Sequence, residues 1–526
     1  MSSALPPGWA WIAVGDLVSA SSDLTDGPFG SNLKTEHYRD SGPRVVRLQN
    51  IGDGRFLNDE AHISTPHFAR LRKHEVLSGD VIVAMLGSDL PRACLAPSAL
   101  GPAIVKADCV RLRPDARITS GRYAVAALNS PAVRRQAEQL VHGVGRPRLG
   151  LKWFRDLRVP LAPVPEQARL LDALDSCLTR LDAAVASLEA AERKLKAYRA
   201  SVLKAAVEGR LVPTEAELAR REGRSYEPAD VLLERILDER RRRWEEAEFA
   251  KMKAAGKTPK DDKWKAVYAE PSAPKVSALS SLPEGWCWAT TAQLFSFVTS
   301  GSRGWAQYYS ESGPLFIRIG NLDHDSISLD LSEAQHVSPK AGAEGTRTRV
   351  APGDVLVSIT ADVGMIALVP DEIGEAYINQ HVGLARPVNG LNASYVAWFL
   401  AAAHGGQRQF SALQRGATKV GLGLDDIRSV LVPIPPLAEQ SRIVDEVERR
   451  FSVAADCEST VTANQRRIRR LRQSILHLAL QGRLVDQDPA DEPADVLLAR
   501  IRAERVDARA ATPTRKGAGK SKRGAA

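Results

Sequence analysis

The sequence predicts an α/β (α+β) protein made in two copies, with globular domains alternating with long antiparallel coiled-coil helices and an internal duplication of pseudo-two-fold character. Three observations predict it. Ordered motifs recur roughly 270 residues apart. The first part of each copy mixes short β-like runs with Gly and Pro turns. The second part of each copy carries an apolar heptad.

The repeat comes first because everything else follows from it. Leu5-Pro6-Pro7-Gly8-Trp9-Ala10-Trp11 returns as Leu282-Pro283-Glu284-Gly285-Trp286-Cys287-Trp288, an offset of 277. Arg47-Leu48-Gln49-Asn50-Ile51 returns as Arg318-Ile319-Gly320-Asn321-Leu322, and Gly79-Asp80-Val81-Ile82-Val83 as Gly353-Asp354-Val355-Leu356-Val357. The run from Val159 to Arg169 aligns without a gap to Val432 through Arg442, an offset of 273 that persists to Gly209-Arg210-Leu211-Val212 and Gly482-Arg483-Leu484-Val485. Finally, residues 227–233 (EPADVLL) recur from Glu492 to Leu498.

These matches set the organisation: a globular domain at 1–160, a helical region at 161–253, a linker at 254–281, a second domain at 282–433, a second helical region at 434–510 and a disordered basic tail at 511–526. In the domains, Val81 to Met85 and Val355 to Ile359 read as buried strands entered through Gly-Asp turns. In the first helical region Leu171, Leu174, Leu178, Leu181, Val185 and Leu188 step by 3 and 4. After a shift of three, the stripe runs on through Ala191, Leu195, Tyr198, Val202 and Ala205. The second copy matches it from Val444 to Leu478, broken only at Glu458. Each helix is expected to start near Glu166 or Glu439, whose charge suits a helix N-terminus, and to stop near Gly209 or Gly482. Some 43 residues at ~1.5 Å each make a rod of roughly 65 Å. One apolar stripe on such a rod needs a partner, and the economical solution pairs the two helices antiparallel with one domain at each end. A further charged helix is expected from Asp230 to about Lys253.

Composition narrows the function. The chain has 526 residues, a net charge of +9 and a pI of about 9.3, which suits a polyanionic partner. Its five cysteines, Cys94, Cys109, Cys177, Cys287 and Cys457, show no CxxC spacing, which argues against a zinc site or disulfide framework and points to a reducing, cytoplasmic setting. No secretory leader and no membrane span are expected. Catalytic patterns are missing. There is no Asn-Pro-Pro-aromatic tetrapeptide, Gly517 to Ser521 lacks the first glycine of a P-loop, and Glu192 and Lys194 form an ExK without an acidic strand partner. The histidines are scattered, so no metal is expected.

Features for reading DNA are present. Asp26 to Lys34 is a Gly-rich loop with Ser31 and Lys34, answered in the second copy by Thr299 to Trp305 with Ser302, Arg303, Trp305 and Tyr308. Small residues let backbone N–H groups approach a phosphate, and a cation reaches phosphate or a guanine edge. A second basic, Gly-rich stretch holds Arg146 and Arg148 in copy one, and Arg415 and Lys419 in copy two. Arg47 and Arg318 recur beside a β-like run; structural salt bridges are their other use.

Taken together, the Leu5–Trp11 and Leu282–Trp288 starts, the Arg-x-x-Asn and Gly-Asp-Val strands, the Val432–Gln440 junction and the Gly-Arg-Leu-Val helix ends resemble the specificity subunit of Type I restriction-modification enzymes. Copy one departs at Ala162 and Pro165 of the junction. The resemblance implies two target-recognition domains, each reading half of a bipartite double-stranded DNA site. The helices would act as a ruler that sets the spacer and docks methyltransferase subunits, two of them, with a motor-endonuclease subunit joining for restriction. S-adenosylmethionine, and ATP with Mg for restriction, would be bound by those partners and no cofactor by this chain, which would be non-catalytic. The domains differ strongly between their motifs, so an asymmetric site is implied. Two other classes compete: a non-enzymatic adaptor or scaffold with duplicated protein-binding domains, and a self-contained nuclease or methyltransferase.

Overall fold

The computed structural model describes residues 5–142, 147–257, 259, 261–275, 279–339, 347–414 and 421–511, the last four for their backbone alone. The chain divides into two compact units, Met1–Glu189 with Thr462–Ala526, and Ala190–Val461.

In the first unit the domain forms β1 (Ala10–Ala13), β2 (Leu24–Asp26), β3 (Tyr38–Val46), β4 (His62–Ile63), β5 (Glu75–Val76), β6 (Val81–Ala84), β7 (Arg92–Leu95), β8 (Ala103–Val105), β9 (Cys109–Leu112) and β10 (Arg158–Leu161). In the second it forms β11 (Cys287–Thr290), β12 (Phe295–Ser300), β13 (Tyr309–Ile317), β14 (His336–Val337), β15 (Val355–Ser358), β16 (Ile366–Leu368), β17 (Ala376–Ile378), β18 (Val382–Pro387) and β19 (Leu431–Ile434). The sheet order β2-β9-β6-β7 repeats as β12-β18-β15-β16, and β4-β3-β8-β5 repeats as β14-β13-β17, where among the described residues a single antiparallel bridge, Arg349 with Tyr377, stands in the place of β5. Pairing is antiparallel except for β3 with β8 and β13 with β17. The first and last strands of each domain pair with each other, Ala10 opposite Leu161 and Cys287 opposite Ile434. The duplication read from the motifs is therefore a duplication of topology.

The Gly-Asp-Val motif shows why. Val81 and Val83 face one core cluster while Ile82 and Ala84 face another, so β6 is apolar on both sides and its run is continuous. In β15, Val355 and Val357 face one cluster and Leu356 the other. The preceding glycine takes φ +82° at Gly79 and +78° at Gly353, which L side chains resist. The aspartate then closes the turn: an Asp80 carboxylate oxygen accepts from Leu77 N at 2.8 Å and its equivalent on Asp354 from Ala351 N at 2.7 Å. Each carboxylate also takes a two-pronged arginine, Arg113 at 2.8 Å and Arg386 at 2.7 Å.

The two long helices run Val164–Val207 and Leu437–Ala479. They pair antiparallel within each unit. In the first, Leu170 and Leu174 share a core with Ala479 and Leu480 while Asp182 meets Arg472. In the second, Val202 and Ala206 pack with Val444, Val447 and Phe451 while Arg199 meets Glu458. Glu458, the break in the heptad, is thereby explained: both its oxygens accept from Arg199, at 3.1 and 2.9 Å, and that guanidinium lies 4.7 Å over the Phe451 ring. Further along, Leu178, Leu181, Val185 and Leu188 are half-buried, because two helices cover only part of a seam.

Helix ends lock onto domain starts across the repeat. Gly209 (φ +67°) closes copy one's helix, and a Cβ there would lie 2.6 Å from Pro283 of copy two. Gly482 (φ +65°) does the same 2.5 Å from Pro6. Helix starts lock on through tryptophan. Trp9 Nε1 donates to both Glu166 oxygens at 3.1 Å, and Trp286 Nε1 donates to Glu439 at 3.0 Å. Burial raises both carboxyls above the usual range, against the pull of the indole N–H on each and of the Glu215 N–H on Glu439. Neighbouring glutamines complete the joint, Gln167 donating to Ile118 and Ala162 carbonyls and Gln440 to Pro435.

The charged helix runs Ala229–Ala254, and Ala494–Ala511 is its shorter counterpart. Asp115 anchors the latter, accepting from Arg117 at 2.7 Å and Arg505 at 2.9 Å. Among the described residues no helix is long and apolar enough to cross a membrane, and no cluster of His, Cys, Asp and Glu could hold a metal.

Candidate nucleic-acid interface

Four segments meet at one place in each domain, and the glycines make the meeting possible. A Cβ on Gly27 would lie 2.1 Å from the carbonyl carbon of Lys106, and one on Gly301 would lie 2.1 Å from the Asn379 oxygen. Only glycine lets the loop after β2 or β12 press against the end of β8 or β17. Three residues on, Gly30 (φ +61°) and Gly304 (φ +86°) turn each loop outward with open space around them.

In the first domain Met85 N donates to Asp108 O at 2.9 Å, and Gly87 N to Pro147 O at 3.0 Å. This ties the β6–β7 loop to the β8–β9 loop and to the segment after 146. Arg148 pairs with Asp108 at 2.9 Å, and its guanidinium lies 5.3 Å from the centre of the Phe29 ring. Phe29 itself is 43% exposed. Asp89 and Asp108 hold φ of +54° and +67°, backbone strain of the kind that collects at functional loops.

The second domain repeats the framework with other side chains. Ile359 N donates to His381 O and Leu422 N to Ile359 O, both at 2.9 Å. Thr360 Oγ1 bonds His381 Nδ1, Gln380 reaches the other ring nitrogen at 3.0 Å, and His324 meets Asp362 at 2.8 Å. Ala361, with φ +63°, carries the strain.

Ser31 and Lys34 are exposed on the first loop, Lys34 with Glu36 at 3.8 Å, a distance worth little in water. Ser302 accepts from Arg347 at 3.0 Å. Arg303 is exposed with no ion-pair partner among the described residues, at the position that Phe29 holds in the other copy. Trp305 requires a correction. It is 4% exposed and stacks on Phe316 at 5.0 Å, so its ring supports the loop from beneath and offers no face to a ligand. Tyr308 packs edge-on against it, half-buried.

Arg47 and Arg318 begin a local cap, in which Asn50 and Asn321 side chains accept from their backbone N–H at 2.8 Å. The Arg47 guanidinium pairs with Asp59 and that of Arg318 bonds the Glu333 carbonyl at 3.4 Å, so both are engaged within the fold. Arg146, Arg415, Lys419 and the basic tail from 512 lie outside the described residues. Phe29, Asp108, Thr360, Gln380 and His381 were missed by sequence reasoning. The only signal was their place beside the glycines and strand ends.

The model of the Type I restriction modification DNA specificity domain matches residues 326–458. The specificity subunit of Type I restriction enzyme EcoKI from Escherichia coli (strain K12) is 23% identical, the match covering 95% of this chain and 96% of that protein. The EcoBI specificity subunit from Escherichia coli is 26% identical over 68% of this chain and 66% of its own length. A chain solved in a study of assembly and conformational transition of the type I R-M system superposes with a TM-score of 0.58 at 17% identity, covering 91% of this chain and 99% of that one. The matched family model and relatives are all specificity domains or subunits of Type I restriction enzymes, and this chain is similar to one of them over nearly its whole length. In this chain the matched stretch covers most of the second domain and the first half of the second long helix. The four-loop cluster recurs in the first domain, which the family model leaves unmatched but the topology repeats.

Proposed function

We propose that this chain is the non-catalytic, DNA-reading subunit of a Type I restriction-modification complex, each domain reading one half of an asymmetric bipartite site. The observation that carries the proposal is one framework filled with two side-chain sets. Glycines, strand ends and backbone bonds of the four-loop cluster repeat, while Phe29, Asp108 and Arg148 in one copy become Arg303, His381 and the 421–423 segment in the other. A constant frame with variable loops is what reading two different sequences requires. Arginine suits a guanine edge, glutamine an adenine edge, and an exposed aromatic a thymine methyl.

The helices fit the remaining roles, spacing the half-sites and docking methyltransferase subunits, two in number. Their seam is half-buried, and Tyr198 and Leu471, equivalent in the repeat and one in each unit, are each 41% exposed, one apolar anchor per unit suited to a partner helix. S-adenosylmethionine would then sit in the methyltransferase, and ATP with Mg in a motor-endonuclease that joins for restriction, in the cytoplasm.

The test is domain-specific. In the assembled methyltransferase complex, Arg303→Ala should weaken binding by about 1–3 kcal/mol if that guanidinium reads a base, and should relax only the half-site read by the second domain. Phe29→Ala should act only on the other half. Either variant altering both half-sites, or neither altering any, would sink the assignment.

A further inference from the structure

Both long helices carry, at the same place in the repeat, a run of cations that no carboxylate answers. In Leu437–Ala479 it is Arg466, Arg467, Arg469 and Arg470; at an offset of 273, in Val164–Val207, it is Arg193, Lys194 and Lys196. All seven are exposed, and none has an ion-pair partner among the described residues. The arginine beside each run is paired, Arg472 with Asp182 and Arg199 with Glu458, so acid on the opposing helix is taken up there. The remaining carboxylates near the runs are few: Glu189 in the first unit, Glu192 and Asp456 in the second. From 459 to 479 the helix contains no Asp or Glu.

Helical geometry shows which way they point. At ~100° per residue, with Ile468 facing inward, Arg466 and Arg470 lie on the opposite side and Arg469 lies on one flank. Ile468 is 9% exposed, which fixes the inward side. Arg193 and Lys196 take the same places relative to half-buried Leu195. On the second helix their exposed neighbours on this back face include polar Ser459, Thr462 and Gln473; on the first, Glu189 takes the place of Thr462. Arg467 and Lys194 fall on the other flank, which they share with exposed Leu471 and Tyr198 respectively. Cations three and four residues apart repel one another along a helix, so the isolated chain gains nothing from the array. A ligand with regularly spaced anions removes that repulsion. Protein partners favour apolar and aromatic anchors, which this face lacks.

We infer that each run grips phosphates of the unspecified spacer of duplex DNA, next to the half-site held by the domain of its own unit. The inference rests on the DNA-reading function proposed above. Phosphate contacts carry no base information, which suits a stretch whose sequence is free.

The experiment uses the complex with its methyltransferase subunits and a duplex carrying the methylated site. Affinity is measured against salt for wild type, for R466Q/R467Q/R469Q/R470Q and for R193Q/K194Q/K196Q. Each lost phosphate contact should flatten the log–log salt slope by about 0.9, hence by roughly 3–4 and 2–3. The half-sites and the spacer length should stay the same. Neutral methylphosphonates placed in the spacer should weaken the wild type and leave the variants unmoved. Slopes equal to wild type, or variants that fail to assemble with methyltransferase in the absence of DNA, overturn the inference, the second outcome reassigning the face to protein docking. A wild-type complex with no salt-dependent, site-specific binding would overturn the proposed function itself.

Discussion

Glu439 and Glu166 occupy equivalent joints, yet the structure makes Glu→Gln unequal at the two. The Glu439 oxygens face two different donors, Trp286 Nε1 at 3.0 Å and Glu215 N at 2.8 Å. Both Glu166 oxygens accept from Trp9 Nε1, at 3.1 Å each, with the Gln487 amide a more distant support. A glutamine has one carboxamide oxygen, so at 439 its NH2 must confront a buried N–H. One hydrogen bond to a charged group is lost, about 1.5–3 kcal/mol, and a donor is left buried. At 166 the oxygen keeps Trp9, and the change from a charged to a neutral acceptor should cost about 0.5–1 kcal/mol. At roughly 2–4 °C per kcal/mol for a unit of this size, E439Q should melt about 4–8 °C below wild type and E166Q no more than about 4 °C below. Hydrogen exchange at peptides spanning 282–290 and 5–13 assigns each loss to its unit. Equal shifts for the two variants, or E439Q melting with wild type, would refute the reasoning.

Other substitutions probe the remaining joints. Gly482→Ala and Gly209→Ala combine a positive φ with a Cβ about 2.5 Å from a proline ring, so each should destabilise by roughly 2–4 kcal/mol. Gly223→Ala, with φ +66° and open space, should cost only about 1–2 kcal/mol in the same melting assay. Arg117 hydrogen bonds first, and Arg505 after them, hold Asp115 well below the usual aspartate value. A depressed folded value means that its stabilisation is present above the unfolded value, ~3.9, and is lost as pH falls through the folded one. The melting difference between wild type and D115N should therefore be steady above about pH 5 and shrink on acidification. Removing seven residues from each long helix keeps the heptad in phase and shortens a ruler by ~10 Å, or about three base pairs. The methylated motif should keep both half-sites with a shorter gap; an unchanged gap would remove the ruler from the account.

The fold was legible where motifs repeat. Gly-Asp-Val marks a turn and a two-faced strand because φ and burial both constrain it, and the heptad marks the helices because a seam must be covered. The Trp9–Glu166 bond was hidden, since 157 residues separate its partners and nothing local announces them. Glu458 looked like a defect in the seam because its Arg199 partner lies on the other helix. At the candidate interface the glycines pointed to the loops, but sequence does not say which side of a loop a residue takes. Trp305 sits one place after Gly304 and turns inward, whereas Phe29, one place before Gly30, turns outward. Arg47 was visible as a repeated cation, while Asp59, which engages it, is replaced by Ser332 in the second copy, so no repeat marks the pair.

The central claim is that two unlike readers on one chain choose where a partner enzyme acts. Its most direct test is to co-express this chain with its methyltransferase subunits and map modified adenines by long-read sequencing. The account predicts a bipartite, asymmetric motif with an unspecified gap that vanishes when the chain is deleted. A continuous or symmetric motif, or methylation that persists without the chain, would contradict it.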